Sequence, residues 1–154
     1  NAIGMFHEFL PDTDVAIRAA EGGSDGAIPG RTAATLSMGA PSVFQGTYSY
    51  CLLDDQGNPT PSFSIASGLD YPGIGPHHAH LKESGRVNYH LVTDKEAIEG
   101  YHMLSELEGI IPAIESSHAA ALANKLLKGK GQTAIINLSG RGDKDVERDM
   151  EAGA

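Results

Sequence analysis

The sequence predicts an α/β fold with a mostly parallel sheet flanked by helices, on three observations. Strand-like and helix-like segments alternate along the chain. Thr133–Leu138 (TAIINL) is a continuous apolar run of the kind found in strands covered on both faces. Between it and the alternating segment Val87–Val92 lie two helical patterns, the first opened by a capping box. Ligands of such sheets gather beyond the carboxyl ends of the strands. The segments that follow strands are therefore where a site is sought.

The elements follow in order. Ile3, Phe6 and Leu10 recur at helical spacing and Pro11 stops the run, so residues 2–10 predict a helix with Asn1 as its N-cap. Val15–Ala20 reads as a short buried strand, and residues 21–31, with four glycines and a proline, as a loop. Residues 32–63 carry the weakest pattern, with a turn at Asp54–Asn58; order returns at Phe63–Ala66. Gly68–Gly75 (GLDYPGIG) predicts a rigid loop of close backbone approach. Residues 76–84 form a short helix with Pro76 in its first turn, and Val87–Val92 a strand. Thr93 and Glu96 open a helix that runs to Glu108, with Ala97, Ile98, Tyr101, Leu104 and Leu107 as its apolar stripe and Gly109 as its stop. Ala119–Lys128 predicts a further helix, capped by Ser116 or Ser117 and ended by Gly129. Thr133–Leu138 then leads directly into Ser139-Gly140-Arg141-Gly142. The domain spans residues 1–145, and a charged tail over 146–154 frays, beginning near Asp143.

Composition narrows the function classes. A chain of 154 residues is one domain. A net charge of −9 argues against gripping nucleic acid or an anionic membrane by bulk electrostatics. Nineteen glycines and eight prolines predict many tight turns. Cys51 stands alone, which excludes an internal disulfide and a cysteine-based zinc site; it reads as a buried free thiol. No apolar stretch approaches the ~20 residues of a membrane span, and no signal peptide is visible, so the cytoplasm is the expected compartment. The first residue is Asn1, leading at once into a helical pattern, so the chain reads as one that starts in the middle of something.

Each candidate site residue carries two readings. Asn1 is either a phosphate-holding helix start or an ordinary cap. Ser139 either offers its hydroxyl to a ligand's ring nitrogen or bonds its own turn. Glu115 is either a carboxylate at the crevice mouth or an acid favoured by a helix dipole. Asp70, braced by glycines, is either a ligand contact or an Asx-turn former. His77, His78 and His80 read as surface or interface histidines ahead of a metal set, and His118 as a capping or packing residue.

Four segments together resemble the β chain of tryptophan synthase: NAIGMF at 1–6, GLDYPGIGP at 68–76, EGIIPAIESSHA at 108–119 and NLSGRGDKD at 137–145. Their order and spacing are also similar, from Asn1 to about Asp145. The resemblance implies the C-terminal portion of a pyridoxal 5′-phosphate (PLP) enzyme of fold type II. Such an enzyme replaces the hydroxyl of L-serine with indole to give L-tryptophan. It implies that Asn1 ends the phosphate-holding loop, and that Ser139, with Gly140, meets the pyridine nitrogen. A serine partner leaves that nitrogen unprotonated and the cofactor a milder electron sink; the protein's part is orientation and tuning. Glu115 is implied to stand beside the ring and Asp70 to contact the bound amino acid. The carbonyls of Leu69, Tyr71 and Gly73 would ligate a monovalent cation (Na⁺ or K⁺), and Phe44 and Gln45 would lie along an indole passage.

The resemblance also implies a homodimer and a partner α chain. It leaves out most phosphate-loop glycines, the lysine that anchors the cofactor covalently and the general-acid carboxylate opposite it. None of Lys82, Lys95, Lys125, Lys128, Lys130 or Lys144 sits in the anchor's motif, so the segment alone is expected to be inactive without its N-terminal half. Segment 21–31 matches poorly, which keeps another PLP enzyme of amino-acid metabolism as an alternative. A non-catalytic relic acting as a binding module is the second.

Overall fold

Gly22 and Gly23, which read as loop in the sequence, lie inside a strand. The computed structural model describes residues 1–152, and there β1 spans Ile17–Ser24. The glycines are needed for space: a Cβ on Gly23 would stand 2.3 Å from Leu91 Cδ2, and one on Gly22 would stand 3.0 Å from Ser64 Oγ. The predicted strand 15–20 therefore starts later and runs further, and the loop begins only at Asp25.

The elements run α1 (Ala2–His7), β1, α2 (Thr35–Met38), β2 (Ala40–Phe44), β3 (Thr47–Cys51), α3 (Pro76–Glu83), β4 (Val87–Thr93), α4 (Asp94–Glu108), α5 (Ile114–Leu127), a 3₁₀ turn at Asp143–Asp145 and α6 (Val146–Ala152). β1 and β4 pair in parallel, Ile17 opposite Val87 through Gly22 opposite Val92. Helices α4 and α5 pack on each other and on both strands, so the α/β class with a parallel pair flanked by helices holds. Among the described residues no helix is long and apolar enough to cross a membrane.

The segment 32–63 holds a second sheet that the pattern did not reveal. β2 and β3 pair antiparallel, closed by Gln45 and Gly46, both at positive φ (48° and 77°), the geometry of a two-residue hairpin turn.

Two apolar clusters hold the layers. Phe6, Ile17, Leu81 and Val87 bury α1 and α3 against the strand starts. Ala66, Ala97, Tyr101 and Ile114 join α4, α5 and the segment after residue 63. The predicted stripe of α4 holds at Ala97, Ile98, Tyr101 and Leu104 but not at Leu107, which is 75% exposed. Gly100 takes a buried place on that face, where an added Cβ would stand 2.7 Å from Ser117 O. α4 and α5 thus approach backbone to backbone. Phe63–Ala66 forms no strand, although Ala66 is in the core.

Three C-terminal expectations are corrected. α5 begins at Ile114, not Ala119, and neither Ser116 nor Ser117 caps it; both are buried within the helix with hydroxyls turned back to Ala113 O. The cap comes from far along the chain: the Asp145 carboxylate accepts the Ile114 N–H at 3.0 Å. The run Thr133–Leu138 forms no strand, because neither edge of the β1–β4 pair reaches it. The tail's described part is helical, as α6, and docked: Asp145 before it is buried, Arg148 donates to Ile65 O at 2.9 Å, and His102 Nε2 stands 3.0 Å from Asp149. The final positions of the predicted tail, 153 and 154, lie outside the described residues.

Candidate functional site at the Glu115 carboxylate

The carboxyl end of β1 is where the loops converge. A Cβ on Gly22, near that end, would meet Ser64 Oγ at 3.0 Å and Leu69 Cβ at 3.5 Å, so the start of the 68–75 loop lies close over the strand. Glu115, in the first turn of α5, then joins three segments. Its Oε1 accepts the Gly68 N–H at 2.9 Å, and its Oε2 accepts from Lys144 Nζ at 2.9 Å. A Cβ on Gly68 would stand 2.8 Å from Glu115 Oε1, so a larger residue there would push the carboxylate aside.

Lys144 also donates to both oxygens of Asp145, at 2.8 and 2.7 Å. Burial works against ionising Glu115. The Lys144 ammonium and the N–H donors outweigh it and hold the carboxyl below the usual glutamate range. Desolvation likewise works against the Lys144 charge, but the bonds to Asp145 and Glu115 prevail and raise its pKa. Glu115 is thus a fixed anion with both oxygens occupied, and Lys144 is a fixed ammonium.

Ser139 and Gly140 are tied to the same helix. Ser116 Oγ donates to Ser139 O at 3.0 Å, while the Ser139 hydroxyl has no partner among the described residues. Gly140 takes φ +80°, and its Cβ position lies 3.3 Å from Ala113 Cβ. Gly142 presses closer still: a Cβ there would stand 2.1 Å from Pro112 O. The backbone after Ser139 therefore runs directly along residues 111–113.

Among the described residues, the other predicted residues make no hydrogen bond to the Glu115 carboxylate. Asp70 is exposed and accepts from Ser62 Oγ at 2.7 Å. Asn1 is exposed at the start of α1 and makes no side-chain cap. Leu69 O already accepts the Tyr71 N–H at 2.9 Å, whereas Tyr71 O and Gly73 O make no backbone hydrogen bond among the described residues. The loop is stitched to the hairpin by Leu52 N–H to Pro72 O (2.8 Å) and Ile74 N–H to Tyr50 O (3.2 Å). Phe44 and Gln45 meet it too: the Phe44 and Tyr71 rings lie 5.8 Å apart, and the Tyr71 hydroxyl donates to Gln45. Phe44, Gln45, Tyr50, Tyr71 and Ile74 line a cavity of about 230 Å³.

The histidines divide by packing. His77 and His80 are exposed, and His78 bonds the Tyr89 hydroxyl at 2.8 Å with its ring edge on Phe6. His118 is buried and bonds Ile114 O at 2.8 Å; burial lowers its pKa and keeps it neutral. Cys51 is a buried thiol whose pKa burial raises.

Lys144 and Ser62 were not singled out as site residues in the sequence. Lys144 stood within a recognised motif, but nothing in spacing reveals a bridge between residues twenty-nine apart.

These features define the class first: a segment of an α/β protein with a polar site at the carboxyl end of a parallel strand pair. No family model matches the chain. Individual relatives do. It is 55% identical to the tryptophan synthase beta chain of Mycobacterium leprae (strain TN) over 149 residues, 96% of this chain and 36% of that one. It is 51% identical over 149 residues to that of Streptomyces coelicolor, covering 96% of this chain and 35% of the relative. With Stenotrophomonas maltophilia (strain R551-3) it shares 51% over 148 residues, 95% and 36% respectively. The chain is related to tryptophan synthase β chains over nearly all its residues and spans about a third of their length, consistent with a C-terminal portion.

Proposed function

We propose that this chain is the C-terminal portion of a cytoplasmic tryptophan synthase β subunit, which joins L-serine and indole into L-tryptophan with the aid of PLP. The observation that carries the reading is the meeting of three motif segments, 68–75, 108–119 and 137–145, at the Glu115 carboxylate. The same segments carry the resemblance to the relatives named above.

The donor set suits one side of a pyridine ring. The Ser139 hydroxyl is not used by the fold and is free to meet the ring nitrogen, and Gly140 brings no side chain between backbone and ring. Glu115 holds the loop start at Gly68 and Lys144 in fixed positions, so it orients the site as an anion; it does not deliver a proton. Asp70, which accepts from Ser62 on an exposed loop, would contact the bound amino acid and help the site close. Asn1 would close the phosphate end. The carbonyls of Tyr71 and Gly73 are the better cation ligands, because Leu69 O is already engaged. When bound, the cofactor supplies the electron sink for exchanging the serine hydroxyl for indole.

Lys144, the lysine at the site, is locked as an ammonium between two carboxylates, which supports inactivity of the segment alone. Pairing with a second β subunit and an α chain belongs to the same proposal. The test supplies the portion of the M. leprae β chain outside the matched residues, with PLP and L-serine, and offers indole in competition with other nucleophiles. Tryptophan as the dominant product is expected; preference for another nucleophile would overturn the substrate assignment.

A further inference from the structure

Ile65 leads into the loop that carries Asp70. Its side chain packs on the cluster of Ala66, Ala97, Tyr101 and Ile114, yet its carbonyl accepts no backbone N–H among the described residues. A half-buried carbonyl of this kind needs a partner from elsewhere. Arg148 supplies it: one guanidinium nitrogen donates to Ile65 O at 2.9 Å, across eighty-three positions of sequence.

Arg148 is brought there by α6. Asp145, buried just before that helix, accepts the Ile114 N–H, and Asp149 stands 3.0 Å from His102 Nε2 on α4. The segment is therefore held on both sides of Arg148. Shortly after Ile65 the loop is held again, where Glu115 accepts the Gly68 N–H and Lys144 donates to the other oxygen of Glu115. Residues 144–148 thus reach the stretch 65–68 twice, once directly and once through Glu115. Beyond Gly68 the backbone turns on Leu69 N–H to Ala66 O (2.9 Å), and Asp70 stands exposed.

We propose that Arg148 is a positioning residue of the site: its bond to Ile65 O fixes the base of the loop from which Asp70 meets the bound amino acid. The inference rests on the role proposed for Asp70. A charged donor on a backbone carbonyl is directional and short-ranged, so its loss frees the loop without unpacking the cluster beneath. Arg148→Ala isolates the guanidinium, because alanine favours a helix at least as well as arginine does.

Hydrogen exchange of the full chain is the first readout. In Arg148→Ala the amides of residues 66–70 are expected to exchange about fivefold faster, with those of β1 and β4 unchanged. Arg148→Lys keeps a cationic donor and is expected to restore most of the protection. Glu147→Gln, exposed in the first turn of α6, is the control and is expected to leave exchange at 66–70 unchanged. The second readout uses the chain completed with the portion of the M. leprae β chain outside the matched residues. There Arg148→Ala is expected to raise the KM for L-serine about threefold, with kcat and PLP affinity kept within about twofold. Unchanged exchange at 66–70 would overturn the inference. So would equal acceleration in β1 and β4, which marks a merely structural residue, no rescue by Arg148→Lys, or an unchanged serine KM in a mixture that forms tryptophan. A wild-type mixture that forms no tryptophan counts against the proposed function alone, and the exchange result then decides the inference.

Discussion

Lys144 donates to Glu115 Oε2 at 2.9 Å, and that bond joins the loop after residue 139 to the first turn of α5. Through the other oxygen of Glu115 the link extends to Gly68, so one carboxylate connects three segments that lie far apart in the chain.

The pair predicts a pH dependence. Glu115 has its folded pKa below the ordinary 4.5, so its contribution is present above that range and lost as pH falls through the folded value. Lys144 has its pKa raised above 10.5, so its contribution is complete below that value and lost only as pH rises through the folded one. The bridge is therefore intact across neutral pH. Urea unfolding of Glu115→Gln is expected to show a smaller loss of stability between about pH 5 and pH 3 than the wild type. The difference is expected to be about 0.2–1 kcal/mol, since Lys144 is substantially exposed.

Asp145 has a different weight. It is 2% exposed and caps the amino end of α5 through the Ile114 N–H. Asp145→Ala removes that acceptor and leaves the ammonium of Lys144 with one carboxylate. A loss of about 1–2 kcal/mol in denaturant unfolding is expected, as for other lost caps.

Gly142→Ala tests the close backbone approach. The new Cβ would meet Pro112 O at 2.1 Å and Ile111 O at 2.6 Å, both backbone atoms with little freedom to yield. A loss of about 1–3 kcal/mol in unfolding free energy is expected, read as a lowered urea midpoint. Gly26→Ala removes no space, and its cost is confined to a φ of +107°.

Ser139→Ala should separate function from stability. Its hydroxyl has no partner among the described residues, so unfolding should be unchanged within about 0.5 kcal/mol. In the enzyme completed with the M. leprae portion, loss of one hydrogen bond should weaken PLP binding by about 3–10-fold, read by absorbance titration.

The capping box of α4 gives a control outside the site. Thr93 Oγ1 accepts from Glu96 N–H at 3.2 Å, and the Glu96 carboxylate accepts the Thr93 N–H at 2.9 Å. Thr93→Ala should cost about 1 kcal/mol in unfolding and leave PLP binding untouched.

Local signals were the legible ones. The capping box, Pro76 at the start of α3, and the stops at Gly109 and Gly129 all act within one helical turn, and the structure follows them. The motif segments that carry the family resemblance needed no geometry to be recognised. What was not legible depends on distant partners. Gly22 and Gly23 look like strand breakers until Leu91 and Ser64 are seen against them. The start of α5 was misplaced because its cap is Asp145, thirty-one residues away. The run at 133–138 shows the limit of composition: it is apolar enough to read as a strand, yet it pairs with neither β1 nor β4.

The most direct measurement is tryptophan formation from L-serine and indole with PLP, by the chain alone and with the remaining portion of the M. leprae β chain. The account predicts no tryptophan from the chain alone, because none of its lysines sits in the motif of the cofactor's covalent anchor, and tryptophan when the two parts are combined. Tryptophan formed by the chain alone, or none from the associated pair, would contradict it.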